Sequence, residues 1–294
     1  MEPCAWVFIR AVNDLIRRQG QTASPRRPKI IAARLGHLRR TDPPGFQVAV
    51  RNGKVVAFAS TILRENIHFL AMFWANPSLQ SKGVGQQLLA RAFNEPEEPP
   101  GTIRCVYASL DHRAQRLYLK FGMVPRSMVY GLAVPGKDLR LPSPPEVPVE
   151  LVQIGKAGEV SKRALAVAAA VDRRVRGCRR DADQRFTLSF QRARFFEARE
   201  DGAPVGYIIV DKDGVVGPGG VIDPRYTEGL AWSGLALAHD QRTKRVNMQL
   251  PGLNIGALRT AFGAGLKITF MGAWMTQREF GKLGCYFATY GDIF

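Results

Sequence analysis

The sequence predicts an α/β (α+β) protein of two domains. Apolar runs bounded by turn signals alternate with segments of helical period, a proline-rich stretch interrupts them near the middle, and blocks before it recur in order after it. The 294 residues, 46% of them hydrophobic, suffice for two cores of ordinary size.

The opening MEPCAWVFIRAVNDLIRR holds a short apolar patch, from which Trp6 to Arg10 is read as the first strand. Glu2 stands where a signal peptide needs positive charge, and no small-residue cleavage site follows. Phe46 to Ile62 has the pattern of a hairpin turning at Asn52-Gly53. Ile67 to Ala75 (IHFLAMFWA) is too short for a helix and reads as a buried strand. After it, Val84, Leu88, Leu89 and Phe93 fall on one face of a helix. Ile103 to Ser109 is a further strand, and a helical segment follows from Asp111.

The junction Pro77-Ser78-Leu79-Gln80-Ser81-Lys82-Gly83-Val84-Gly85 is the most informative stretch. Two glycines let the backbone approach a ligand, and a helix N-terminus presents unpaired N–H groups and a positive dipole end, which suits a phosphate. The pattern is neither G-x-G-x-x-G, since no third glycine follows, nor a P-loop, since Lys82 precedes Gly83. It has the form Q/R-x-x-G-x-G/A after a strand. The segment Asp111-His112-Arg113-Ala114-Gln115-Arg116-Leu117-Tyr118-Leu119-Lys120-Phe121-Gly122-Met123 has the form N-x-x-A-x-x-L-Y-x-x-x-G-F/M, with aspartate at its first place.

Together these motifs, spanning Ile67 to Val124, resemble the GNAT superfamily of N-acetyltransferases. The resemblance implies a mixed, mostly antiparallel sheet flanked by helices, with acetyl-CoA entering between splayed strands that end near Ala75 and Ser109. It implies that the backbone of Phe73, Trp74 and Ala75 meets the pantetheine arm, that Gln80, Ser81, Lys82, Gly83, Val84, Gly85 and Gln86 hold the pyrophosphate, and that Tyr118 serves as general acid. Asp111 in place of asparagine leaves its own cofactor contact open. The general base is left between His68, whose ordinary pKa lies near neutrality, Glu65 in the turn before it, and a water relay.

The second half echoes the first. Phe46-x-x-Ala49-x-x-x-Gly53-x-x-Val56-Ala57-Phe58 aligns without a gap on Phe195-x-x-Ala198-x-x-x-Gly202-x-x-Val205-Gly206-Tyr207. Asn76-Pro77 matches Asp223-Pro224, and Asp111-x-x-Ala114 with Gly122-Met123 matches Asn254-x-x-Ala257 with Gly265-Leu266. In this second copy Glu228 precedes the glycine where the first has Lys82, and Ala261 replaces Tyr118. A carboxylate beside a pyrophosphate costs Coulomb energy. The expected organisation is a catalytic domain over residues 1–134, a proline-rich linker over 135–149, and a degenerate copy over 150–294 that closes the acceptor pocket and binds no cofactor. The chain is then a monomer with a built-in pseudo-dimer partner, or a homodimer.

Composition limits the remaining choices. The four cysteines lie far apart without metal-ligand spacing, which points to no metal and to a reducing cytoplasm, and no apolar run is long enough to span a bilayer. The net charge of +17 is spread along the chain, and its densest cluster, Arg173 to Arg180, is broken by Gly177 and followed by Asp181 and Asp183. A solvated surface explains it better than a nucleic-acid arm. With 25 acidic against 42 basic residues, a small neutral or acidic primary amine is a better acceptor than a polycation. Two other classes stay open: a noncatalytic acyl-CoA sensor, and a basic nucleic-acid-binding protein on a relict fold.

Overall fold

The computed structural model describes residues 1–20, 22–23, 26–79, 83–93, 98–289 and 291. They form two compact units: Met1–Val124 with Met275–Gln277, and Pro125–Trp274 with Arg278–Phe294.

The first unit opens with two helices, α1 (Glu2–Arg18) and α2 (Pro28–Thr41). The strand expected at Trp6–Arg10 is therefore part of a helix. Cys4, Val7, Ala11 and Leu15, with Ala5, Ile9 and Val12, are buried at steps of three and four, and five residues alone conceal that period. Glu2 in the first turn and Arg17 and Arg18 in the last oppose the helix dipole.

Strands β1 (Phe46–Arg51), β2 (Lys54–Arg64) and β3 (Ile67–Ala75) then run antiparallel. Asn52 and Gly53 take φ of 50° and 69°, as the expected two-residue turn requires. Helix α3 (Val84–Phe93) leads to β4 (Ile103–Ser109), which lies parallel to β3, and to α4 (His112–Lys120). Among the described residues the β3–β4 ladder runs only from Ile67–Ile103 to Leu70–Val106. Beyond Leu70 the two strands part. Met275–Gln277 complete this unit at the paired end of β4, where Gln277 Oε1 accepts from the Arg104 amide at 3.0 Å and Gln277 Nε2 donates to the Phe121 carbonyl at 3.1 Å.

In the second unit the strand order is β11 (Lys267–Thr276, in this unit through Trp274), β5 (Val124–Pro135), β10 (Arg245–Pro251), β9 (Val215–Val221), β8 (Ala203–Val210), β7 (Arg194–Glu200) and β6 (Glu150–Gly155). Helices α5 (Lys162–Val175), α6 (Asp181–Gln191), α7 (Thr227–Asp240) and α8 (Ile255–Gly263) flank them, and a short strand β12 (Tyr286–Phe287) pairs with β9. The proline-rich residues lie along α7: Trp232 Nε1 donates to the Pro142 carbonyl at 2.9 Å and Ser233 Oγ to that of Val149 at 2.7 Å.

The sequence echo recurs as geometry. Asp201 and Gly202 turn the β7–β8 hairpin with φ of 47° and 79°. The register slips after Ala198 in that hairpin and after Ala49 in the first, the two alanines that the sequences align. Asp111 and Asn254 cap α4 and α8 by accepting from the amides of Arg113 and Ala257. Each helix closes alike, with Met123 N–H on the Tyr118 carbonyl at 3.1 Å and Leu266 N–H on that of Ala261 at 3.0 Å.

Candidate active site

In the first unit, the parted ends of β3 and β4 lie beside the starts of α3 and α4. β3 runs into a turn of 3₁₀ helix over Pro77–Leu79, and Gly83, at φ 80°, leads into α3. Gln80, Ser81 and Lys82 lie outside the described residues. Helix geometry leaves the first N–H groups of α3 without intrahelical acceptors, as an anion cradle needs.

Gly85 fixes how close α3 comes. A β-carbon there would lie 2.9 Å from Phe73 Cζ and 3.3 Å from Leu117 Cδ2, so that α3, β3 and α4 meet at Gly85 and a larger residue would displace the Phe73 ring. Phe73 packs edge-on against Tyr118, with ring centroids 6.2 Å apart. Successive strand residues face opposite sides, and Trp74 accordingly packs on Phe8 of α1 at 5.0 Å. Phe8 escapes the sequence reading because its helix was taken for a strand; the seventeen-residue helical period is the signal that reveals it.

Tyr118 is 5% exposed. Burial pushes its phenol well above the usual range, and the charge of Asp111 adds to the effect. It therefore stays protonated at neutral pH. Among the described residues its hydroxyl has no hydrogen-bond partner.

Asp111 is more tightly engaged than its sequence position shows. Its carboxylate accepts from the Arg113 amide at 3.0 Å, from the Arg113 guanidinium at 2.8 Å and from Arg18 at 3.1 Å, and Arg18 also meets Asp14 at 2.9 Å. Burial alone would raise its pKa, but these donors outweigh burial and hold the carboxyl well below the usual carboxylate range. The charge that would repel a phosphate is thereby compensated by two guanidinium groups. Arg18 and Arg113 are not among the residues singled out from the sequence.

His68 and Glu65 are not brought to this end. His68 lies in the paired part of β3, opposite Arg104, six residues or roughly 20 Å of strand from Trp74. Its Nδ1 meets Glu98, whose carboxylate also accepts from Arg104 at 2.7 Å, and its ring packs on Phe93 at 4.9 Å. Burial lowers its pKa, partly opposed by Glu98. Glu65 occupies the exposed turn before β3, at φ 51°. The described residues contain no group of three or more His, Cys, Asp or Glu able to hold a metal, and no helix long and apolar enough to cross a membrane.

Residues 9–123 match the model of the Acetyltransferase (GNAT) family. Three solved structures show that the fold extends over nearly the whole chain. A candidate acetyltransferase from Pyrococcus horikoshii is 15% identical with a TM-score of 0.71, over 97% of this chain and 89% of that one. A GCN5-related N-acetyltransferase from Sphaerobacter thermophilus is 17% identical, TM-score 0.61, over 94% and 92%. A tandem GNAT protein from the clavulanic acid biosynthesis pathway is 16% identical, TM-score 0.55, over 92% and 93%. Comparison of the sequence with curated proteins gives no match.

Proposed function

Because residues 9–123 match the model of the Acetyltransferase (GNAT) family, we propose that the chain is an acetyl-CoA-dependent N-acetyltransferase acting on the primary amine of a small molecule. The observation that carries this reading is the parting of β3 and β4 after Leu70, with Gly85 and Tyr118 gathered on Phe73 beside it.

Acetyl-CoA, when bound, supplies an acyl group activated on a sulfur leaving group. The backbone of Phe73, Trp74 and Ala75 holds its arm by strand-like pairing and directs an N–H at the carbonyl oxygen, where negative charge develops during attack. The amides at the start of α3, with Gln80 to Gln86, hold the pyrophosphate, and Lys82 adds charge. Tyr118 Oη delivers its proton to the departing sulfur; burial keeps that proton on the phenol at neutral pH until it is needed. With His68 committed to Glu98 and Glu65 at the far turn, the amine loses its proton to water. With 25 acidic against 42 basic residues, a neutral or acidic acceptor is favoured over a polycation.

The second unit serves as a degenerate copy without cofactor, and the chain binds one acetyl-CoA. Ala261 stands at the place of Tyr118, Glu228 lies in the first turn of α7, and a β-carbon on Gly229 would lie 2.5 Å from the Val147 carbonyl oxygen. All four cysteines are buried and outside any disulfide, in keeping with a reducing compartment such as the cytoplasm. The test is a panel of primary amines incubated with acetyl-CoA and read by free thiol. Thiol release that depends on one amine class is the expected result. Silence across the panel, with acetyl-CoA still bound, would turn the reading to a noncatalytic sensor.

A further inference from the structure

The second unit contains the same parting of strands, but there the gap is filled. The parallel β9–β10 ladder joins only Val215 to Asn247 and Val216 to Met248. Past that point β12 enters: Tyr286 pairs with Gly220 and Phe287 with Gly219 on one side, and Ala288 bridges Gln249 on the other, its N–H donating to the Gln249 carbonyl at 2.9 Å. Aligning Asn76-Pro77 with Asp223-Pro224 puts Gly220 and Gly219 at the places of Phe73 and Met72. β12 thus lies along the stretch of strand that the first unit leaves for the arm of acyl-CoA.

Neighbouring groups are shaped to this segment. Tyr286, Phe287 and Ala288 are each 0% exposed. Asn254, the counterpart of Asp111, caps α8 with its side-chain oxygen and donates its Nδ2 to the Tyr286 carbonyl at 3.0 Å. The Tyr286 hydroxyl accepts from Arg180 at 3.0 Å, and Arg180 is itself held in a buried pair with Asp172 at 3.1 Å. Opposite the Ala288 carbonyl stands Gly217, where a β-carbon would lie 2.5 Å from that oxygen.

We propose that the gap between β9 and β10 is a binding groove for an extended peptide, and that its ligand is the segment Cys285–Thr289 of the same chain, held in the place of a cofactor arm. Both faces of the ligand's backbone pair with the flanking strands, and the Asp172–Arg180 pair reads its tyrosine. The inference rests on the second unit's geometry and does not require the first to transfer acetyl groups.

The test uses the full chain with a sequence-specific protease site inserted between Arg278 and Glu279, both exposed, and cut after folding. The released segment is expected to remain with the protein in gel filtration. A labelled synthetic peptide of residues 279–289 should exchange into the cut protein and not into the uncut one. A peptide carrying Tyr286→Ala and Ala288→Pro, which removes the Arg180 contact and the N–H given to Gln249, should compete at least tenfold more weakly. Departure of the segment without recapture of the peptide would overturn the proposal, as would equal competition by the two peptides. Binding of acetyl-CoA to the uncut chain reports on the first unit separately, so that failure of one reading is distinguishable from failure of the other.

Discussion

A β-carbon on Gly85 would stand 2.9 Å from Phe73 Cζ, so the start of α3 is seated against the Phe73 ring at the end of β3. Substituting Gly85 with valine should push α3 from β3, at a cost of about 1–3 kcal/mol for the overpacked contact. Thermal stabilisation by acetyl-CoA should disappear with it. Gly83→Ala meets open space but places a β-carbon at φ 80°, costing about 1–2 kcal/mol. It should weaken the ligand-induced shift without abolishing it.

Tyr118→Phe should leave thermal stability nearly unchanged and lower kcat on the order of 100-fold, with little effect on the KM for acetyl-CoA. Because burial raises the phenol's pKa, the wild-type rate should show no basic limb from this group between pH 7 and pH 10. The same shift makes its contribution to stability complete below about pH 10 and lost as the pH rises beyond. A basic limb below pH 9 that vanishes in the phenylalanine variant would contradict this assignment.

Asp111→Ala should cost about 1–2 kcal/mol through loss of the α4 cap, and should also loosen the end of α1 held by Arg18. Asp111→Asn, which can keep the cap but not the charge, should lie between it and wild type in chemical denaturation. The carboxyl's depressed pKa means that its stabilisation is present above about pH 4 and disappears as the pH falls further. The alanine variant should therefore approach wild type at low pH.

His68→Gln should cost about 1–3 kcal/mol, because a buried partner of Glu98 is removed, and should leave the pH profile of kcat unchanged. Burial depresses the His68 pKa, so its part in stability is complete above about pH 6.5 and is lost below it. A changed acid limb of kcat would reinstate it as a base.

Gln277→Ala should destabilise the first unit by about 1–3 kcal/mol, since the Arg104 amide and the Phe121 carbonyl both lose a partner. Residues 1–124 expressed alone should show lower protection from hydrogen exchange around β4 than the same residues in the full chain.

What was legible in the sequence was local. The hairpin at Asn52-Gly53, the strand from Ile67 to Ala75 and the helix from Asp111 announce themselves through turn residues and period, and the structure has each of them. Trp6 to Arg10 was misread because five apolar-rich residues fit either period, and only the longer pattern to Leu15 decides for a helix. His68 looks suited to base catalysis by residue type, whereas its partners Glu98 and Arg104 come from a distant loop and strand. The filling of the second gap was hidden for a related reason. A two-residue strand has no periodicity, and its pairing to glycines in β9 depends on contacts 66 and 68 residues apart.

The return of Met275–Gln277 to the first unit also sets an order of events during synthesis. The two backbone groups that Gln277 satisfies are translated 156 and 173 residues before it, a delay of about 8–35 s at about 5–20 residues per second. Until Gln277 emerges, the Arg104 amide and the Phe121 carbonyl of the nascent first unit lack this partner, so the first unit is not finished before most of the second has been synthesised.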